Sequence, residues 1–194
     1  MPRIISGIKK GLNLIPPKND DVRPTYDRAK EGLFNILASR YPVEGGHILD
    51  LFSGTGSIGL ECISRGADRV VFVDKQTTLT KTNIDKCGFT QSCDTIQMDC
   101  IKALAFLKAS GSRFTHVFLD PPYNKGLYER VIENECLCDI IDENSVVIAE
   151  LSDKEKVLES CKDLILMDKR KYGISVFAIY RKRNNEYLDL PGQF

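Results

Sequence analysis

The sequence predicts an α/β protein with a doubly wound, mostly parallel sheet of seven strands whose last two form an antiparallel hairpin. From residue 47 onward, short apolar runs alternate with amphipathic stretches of helical period, which is typical of strands and covering helices. The hairpin is indicated by the turn Lys171-Tyr172-Gly173. Strands are expected at 47–52, 69–74, 94–98, 115–119, 145–151, 163–170 and 174–181, and helices at 57–65, 76–87, 100–109, near 125–137 and near 153–160.

Residues 1–40 are predicted to form a small extension made of a β-hairpin and a helix. The loose alternation over residues 3–15 turns at Lys9-Lys10-Gly11. Thr25 has a side chain suited to cap the helix that follows. We therefore expect three units, namely the extension 1–40, a main domain 41–183 and a tail 184–194.

The segment Asp120-Pro121-Pro122-Tyr123 follows an apolar strand and has the composition of a clamp for a planar amino group. The carboxylate and a proline carbonyl can both accept hydrogen bonds from one –NH2 group, while the tyrosine ring covers the base that carries it. The two prolines fix φ and remove two backbone donors, so the loop presents acceptors. An Asx turn followed by a rigid loop is the alternative if the segment is taken alone.

A second motif, Asp50-Leu51-Phe52-Ser53-Gly54-Thr55-Gly56, links a buried strand to a helix. Its glycines allow a ligand to approach backbone amides at a helix N-terminus. Counting Gly59, the spacing also fits a dinucleotide-binding loop. Asp50 argues against that, because its charge repels a pyrophosphate but suits the cationic amino-acid end of S-adenosylmethionine.

Two further strands end in carboxylates, Asp74 and Asp99. An acid at the tip of the second strand can accept hydrogen bonds from both ribose hydroxyls, a group that NAD and S-adenosylmethionine share. A helix N-cap is an equally good explanation of Asp74 by itself. Because the tips of parallel strands line one crevice, four acidic tips together predict a nucleoside site beside the amino-group clamp.

Composition limits the classes of protein to consider. The chain has 194 residues and is 42% apolar, and no run reaches the ~18 apolar residues of a membrane span. The start of the chain lacks the apolar region of a signal peptide. Seven cysteines without a C-x-x-C pair are typical of reduced thiols in a cytoplasmic protein, and neither they nor the two histidines form a metal-binding pattern.

Charge is distributed unevenly although the net charge is zero. Residues 1–31 carry seven Lys/Arg against four Asp/Glu, and residues 162–183 carry seven against two, whereas residues 32–161 carry 13 against 19. Basic flanks around an acidic centre favour a nucleic-acid partner held by the flanks, and a solvated charged surface is the alternative.

The combined motifs resemble those of class I methyltransferases that act on exocyclic or amide nitrogens. Arg3-Ile-Ile-Ser-Gly7, Arg23-Pro-Thr-x-Asp-Arg28-x-Lys-Glu-x-Leu-Phe-Asn35 and Ser64-Arg-Gly-Ala67 narrow the resemblance to the RsmD family, which methylates N2 of a guanine in small-subunit (16S) ribosomal RNA. The likeness runs from Arg3 to the Tyr172-Gly173 turn.

The resemblance implies a Rossmann-like methyltransferase domain, S-adenosylmethionine as cofactor with S-adenosylhomocysteine as product, and no metal. The partner would be 16S rRNA or an assembling small ribosomal subunit, at the family's guanine 966 site, with neither DNA nor membrane involved. The residues expected to contact the cofactor are Asp50, Phe52, Ser53, Gly54, Thr55, Gly56, Asp74, Lys75, Asp99, Cys100, Thr25 and Arg28.

Within that set, the methionine part would lie against Asp50, Asp74 would bind the ribose and Asp99 the adenine amino group. Asp120, Pro121, Pro122 and Tyr123 would form the catalytic clamp. The expected RNA contacts are the basic residues Arg3, Lys9, Lys10, Arg23, Lys169, Arg170 and Lys171.

Four other functions share parts of this pattern. An adenine-N6 methyltransferase acting on DNA would need a segment that reads base edges, for which the chain has no spare region. A glutamine-N5 methyltransferase usually has Asn in place of Asp120. A dehydrogenase would explain the glycine loop but not the clamp, and a non-catalytic RNA-binding module would not explain the acidic strand tips.

Overall fold

The computed structural model describes residues 2–17, 26–123 and 125–183. The helices are α1 (Tyr26–Arg40), α2 (Ser57–Ser64), α3 (Thr78–Cys87), α4 (Cys100–Ala109), α5 (Leu127–Ile132) and α6 (Glu135–Asp139). The strands are β1 (His47–Leu51), β2 (Arg69–Asp74), β3 (Cys93–Gln97), β4 (Phe114–Leu119), β5 (Ile141–Ser152), β6 (Ser160–Cys161), β7 (Leu164–Tyr172) and β8 (Ser175–Lys182).

All eight strands belong to one sheet in the order β3-β2-β1-β4-β5-β8-β7-β6. Strands β1 to β5 run parallel, and β8, β7 and β6 are added antiparallel. The chain changes direction across the sheet between β1 and β4, where Leu51 lies beside Leu119. Ligands of open α/β sheets bind at such a switch point, so the loops after β1 and β4 form the candidate crevice.

The core has one apolar layer on each face of the sheet. Helices α1, α2 and α3 cover one face, and α4, α5 and α6 cover the other. Ile48 packs into the first layer and its neighbour Leu49 into the second, as the two-residue period of a strand requires. The predicted doubly wound fold is therefore confirmed, with the two-residue β6 as one strand more than expected.

The N-terminal residues pack into the same core as the rest of the chain. Ile4 and Leu14 are fully buried in the layer that contains α1. The expected hairpin consists of one antiparallel bridge, Arg3 to Asn13, closed by hydrogen bonds such as that from the Gly11 N–H to the Ile4 carbonyl (2.8 Å). The tail 184–194 lies outside the described residues.

The prediction of a helix near 153–160 is wrong. Residues 153 and 154 form only a turn, beside which the Glu155 side chain accepts a hydrogen bond from the Ser152 N–H (2.8 Å). The chain then leaves the helical path, since the Leu158 N–H donates to the Tyr128 hydroxyl (3.2 Å) and its carbonyl accepts from the Tyr180 hydroxyl (2.9 Å). These tertiary hydrogen bonds override a local helical preference.

Candidate active site

The loop between β1 and α2 turns sharply at the carboxyl edge of the sheet. Phe52 has a φ of 63° although it carries a side chain, and Gly54 and Gly56 have φ values of 53° and 77°. A Cβ added to Gly54 would meet only the Phe52 carbonyl oxygen, at 3.9 Å, so the space above this residue is open. A strained backbone beside open space is a common feature of ligand-binding loops.

Two polar residues of α3 hold this loop in place. The Thr80 hydroxyl donates to the Gly54 carbonyl (2.8 Å), and the Asn83 amide donates to the Thr55 carbonyl (2.9 Å). The predicted ligand residue Ser53 is buried, with its hydroxyl 3.4 Å from that of Thr80. Sequence reasoning missed Thr80 and Asn83, although both interrupt the buried stripe of α3 that continues through Ile84 and Cys87.

Asp74, at the tip of β2, connects the loop to the next turn of the chain. One carboxylate oxygen accepts from the Gly54 N–H and the other from the Gln76 N–H, each at 3.0 Å. Each carboxylate oxygen has two acceptor sites, so hydroxyl groups can still be bound. Asp74 is thus suited to the expected ribose contact and also shapes the loop.

Asp50 lies beneath the loop rather than at its surface. Its side chain is buried, and one carboxylate oxygen accepts from the Gly59 N–H in the first turn of α2 (3.0 Å). Burial raises the pKa of Asp50 to about 7, the Gly59 hydrogen bond opposes the rise, and the charge of Asp74 adds to it. Direct contact between Asp50 and a cofactor stays a prediction.

Asp99 caps helix α4 and pairs with a second predicted residue. Its carboxylate accepts from the Ile101 N–H (3.1 Å) and lies 3.3 Å from the Lys75 ammonium group. Desolvation opposes ionisation of Asp99, but the hydrogen bonds from Lys75 and from the Ile101 backbone outweigh it and lower the pKa. Burial raises the pKa of the adjacent Cys100 thiol to about 12, so the thiol stays protonated, and contact between Cys100 and a cofactor stays a prediction.

The clamp segment continues from β4 directly beside the glycine loop. The Asp120 N–H donates to the Leu51 carbonyl (3.5 Å), which joins the two loops at the switch point. Pro121 is buried, Pro122 is exposed, and Asp120 and Tyr123 are half-buried. The Tyr123 hydroxyl donates to Glu150 of β5 (3.1 Å), a residue that sequence reasoning missed.

The N-terminal residues form a wall next to the loop through α2 and α3. Gly7 lies so close to α2 that an added Cβ would be 1.7 Å from the Ser64 carbonyl oxygen. The Ile15 backbone is bonded in both directions to the Asn83 amide (2.7 and 3.1 Å), the same group that holds Thr55. Lys9 lies over the Phe89 ring, 5.9 Å from its centre.

The predicted basic residues of this region differ in their surroundings. Arg3 pairs with Asp27 at 3.0 Å, and Lys10 and Arg28 are exposed. Arg23 and Thr25 lie outside the described residues.

A buried ion pair, also missed from sequence, joins α1 to α2 beneath this wall. The Lys30 ammonium group lies 3.2 Å from a Glu61 carboxylate oxygen, and both side chains are fully buried. Glu61 also accepts from the Ile5 and Ser6 N–H groups (2.7 and 2.9 Å) and from Arg65 (2.7 Å). The carboxylate therefore satisfies backbone donors of the N-terminal segment.

The basic hairpin lies at the same edge of the sheet as the crevice. Ser152 at the end of β5 pairs with Ser175, so the β7–β8 turn faces the crevice side, three strands along from β1. Arg170 pairs with Asp168 (3.1 Å) and Lys171 with Asp153 (2.9 Å), and both basic side chains stay about half exposed. Lys169 is exposed as well.

Within residues 2–17, 26–123 and 125–183, no helix is long and apolar enough to cross a membrane. The same residues contain no cluster of three potential metal ligands among His, Cys, Asp and Glu side chains.

Comparison with known proteins identifies the family. The family model described as Conserved hypothetical protein 95 matches residues 2–181. The chain belongs to this family. It is the RsmD family to which the motifs pointed, so the predicted resemblance is confirmed.

Named relatives of the RsmD family agree in sequence and in fold. "Putative rRNA methyltransferase YlbH" of Bacillus subtilis is 33% identical, with 93% of this chain and 99% of the relative covered. "Ribosomal RNA small subunit methyltransferase D" of Haemophilus influenzae is also 33% identical, with 92% and 93% covered. The solved structure of "Putative methyltransferase yhhF" from Escherichia coli has a TM-score of 0.75 at 27% identity, with 93% and 97% covered.

Proposed function

We propose that this RsmD-family protein transfers a methyl group from S-adenosylmethionine to N2 of a guanine in small-subunit ribosomal RNA, at the family's guanine 966 site. The observation that carries the proposal is the adjacency of the glycine loop and Asp120-Pro-Pro-Tyr123 at the switch point, where Leu51 and Leu119 pair. The names of the relatives support the ribosomal RNA substrate.

The crevice fits the proposed cofactor. Open space above Gly54, the partly exposed Asp74 carboxylate and the half-buried Asp99 would hold the amino-acid, ribose and adenine parts, respectively. When bound, S-adenosylmethionine supplies an activated methyl group, so this chemistry requires no metal. The remaining work of the protein is to orient the target nitrogen.

Asp120 and the Pro121 carbonyl are proposed to accept hydrogen bonds from the two N–H groups of guanine N2. The N2 lone pair is delocalised into the ring, and accepting both hydrogens favours rehybridisation and aligns the nitrogen for attack. Asp120 acts as an acceptor and orienting group, because the amine becomes acidic only after methyl transfer. Tyr123 would stack on the base, which must leave its own stack at a cost of a few kcal/mol.

The proposed division of the chain follows from these roles. Residues 1–40 would contact RNA, residues 41–183 would form the methyltransferase domain, and residues 184–194 would be a tail. We further propose that the enzyme works in the cytoplasm on 16S rRNA or an assembling small subunit.

Incubation of the protein with tritiated S-adenosylmethionine and purified small ribosomal subunits is expected to label the RNA. Nucleoside digestion and mass spectrometry should identify N2-methylguanine, because the clamp accepts two N–H groups from an exocyclic amine. DNA and release factor serve as parallel acceptors. Recovery of N6-methyladenine or methylglutamine instead would refute the proposed substrate.

Replacing Lys169, Arg170 and Lys171 with alanine is expected to weaken RNA binding and reduce its salt dependence. The slope of log affinity against log salt should fall by roughly 0.7–0.9 for each phosphate group that the variant no longer neutralises. Binding measured across a salt titration checks this, and cofactor affinity should not change.

A matched control replaces Lys108, Arg113 and Lys162, which removes the same charge. These exposed side chains lie at the end of α4, before β4 and between β6 and β7, at the opposite edge of the sheet, and two of them form surface ion pairs like those of the hairpin. If both triple variants change the salt slope equally, the hairpin is not a specific RNA contact.

A further inference from the structure

The hydroxyl of Tyr123, the tyrosine of the clamp, is hydrogen-bonded to the buried carboxylate of Glu150. The Tyr123 hydroxyl donates to Glu150 Oε1 at 3.1 Å, and the Ser175 hydroxyl donates to the same oxygen at 2.7 Å. Glu150 and Ser175 are only 7% and 5% exposed. The hydroxyl oxygens of Tyr123 and Ser175 are 3.4 Å apart, so the three groups form a compact cluster.

The backbone holds this cluster rigidly. Leu119 pairs with Ala149, which places Glu150 beside Asp120 at the edge of the sheet. Ser175 begins β8 directly opposite Ser152 at the end of β5. The two groups that bind the tyrosine hydroxyl therefore belong to adjacent, paired strands.

The cluster is not required to satisfy the tyrosine itself. Tyr123 is only half-buried, so a ring turned outward could bond its hydroxyl to water instead. Tyr128 is the contrasting case, because it is 2% exposed and its hydroxyl bonds that of Tyr180 within the core. Keeping the Glu150 carboxylate away from water to bind a half-buried tyrosine costs free energy of desolvation. In return the Tyr123 ring is held at two points, by the backbone after two prolines and by its hydroxyl.

We propose that Glu150 and Ser175 are positioning residues that fix the plane of the Tyr123 ring against the target base. The inference rests on the proposed function, in which that ring stacks on guanine. A fixed ring lowers the ordering cost of binding and keeps the base in line with the Asp120 acceptor, so its loss affects turnover as well as binding.

The test is a double-mutant cycle measured with ribosomal RNA as methyl acceptor. Tyr123→Phe and Glu150→Ala should each lower kcat/KM by roughly ten- to a hundredfold, the range for a hydrogen bond to a charged group. Glu150→Gln keeps an acceptor and should recover most of the activity, and Ser175→Ala should have a smaller effect. The double variant should be no worse than Tyr123→Phe alone.

Three controls separate this role from a structural one. Cofactor affinity by calorimetry should stay within a few-fold in every variant, and urea unfolding should show that each variant is folded. Tyr128→Phe removes a tyrosine hydroxyl bond of the core and should leave kcat/KM unchanged. If Glu150→Ala retains wild-type kcat/KM, or costs as much in the Tyr123→Phe background as alone, the proposal is overturned.

A readout without substrate distinguishes failure of the positioning role from failure of the proposed function. In protein labelled with 3-fluorotyrosine, the Tyr123 resonance is assigned by its absence in Tyr123→Phe. In the wild type the fluorine spectrum is expected to show one orientation of the Tyr123 ring, or two orientations in slow exchange. In Glu150→Ala it is expected to show one resonance averaged by fast rotation of the ring. If the wild type methylates no ribosomal RNA but shows this contrast, only the proposed function fails, whereas identical averaging in both proteins overturns the positioning role.

Discussion

Asp120→Ala is expected to abolish methyl transfer while leaving cofactor affinity within a few-fold. In the proposed reaction Asp120 supplies the charged acceptor for the target amine, and loss of one preorganised group of this kind typically costs about a hundred- to a thousandfold in kcat. Its backbone N–H still bonds the Leu51 carbonyl in the variant, so the crevice keeps its shape. Single-turnover kinetics with tritiated S-adenosylmethionine measure the effect.

Asp74→Ala is the matched carboxylate variant with the opposite expected outcome. It removes the two hydrogen bonds that Asp74 is proposed to accept from the ribose, each worth roughly 1.5–3 kcal/mol for a charged acceptor. It also releases the Gly54 and Gln76 N–H groups. Cofactor binding should therefore weaken strongly in calorimetry. The assignment of roles is incorrect if Asp120→Ala fails to bind the cofactor and Asp74→Ala retains it.

Glu61→Ala is expected to destabilise the protein by about 3–5 kcal/mol, the cost of leaving one partner of a buried ion pair alone. Lys30 would stay buried without its carboxylate, and the Ile5 and Ser6 N–H groups would lose their acceptor. Burial lowers the pKa of Lys30 and Glu61 opposes that shift, so the lysine of the variant should titrate at still lower pH. Urea unfolding measures the loss of stability.

Glu135→Ala is the control for this stability effect. Glu135 pairs with Lys162 at 3.3 Å, but the two side chains are 81% and 49% exposed. Exposed ion pairs contribute at most ~1 kcal/mol. Equal losses of stability in the two variants would show that the buried Lys30–Glu61 pair stabilises the protein no more than an exposed ion pair does.

The sequence was sufficient for the fold and for the strand ends because both depend on local patterns. The apolar runs of β2, β3 and β4 are each followed or ended by an acidic residue, namely Asp99 after β3, Asp120 after β4 and Asp74 at the end of β2. Parallel strands bring these ends to one edge, so the three residues could be placed beside the glycine loop in advance. The family resemblance supplied the roles assigned to them.

The missed residues depend on contacts between distant segments. In the sequence, Glu150 is a single polar residue near the end of an apolar strand. Its partner Ser175 lies 25 residues later and is brought to it by the antiparallel register of β8. Glu61 lies in the apolar run Leu60 to Ile63, where a charge signals a partner without naming it. That partner, Lys30, comes from another helix.

The attachment of the N-terminal segment also sets an order of events during protein synthesis. Its hydrogen bonds to Glu61, Ser64 and Asn83 span 55 to 68 residues of chain. At the ~5–20 residues per second of translation, the segment emerges from the ribosome roughly 3 to 14 seconds before its last partner. Lys9 and Lys10, which are proposed to contact RNA, therefore cannot reach their final positions until α2 and α3 have been made. By the time a nascent chain can bind ribosomal RNA with these lysines in their native positions, its glycine loop has already been synthesised.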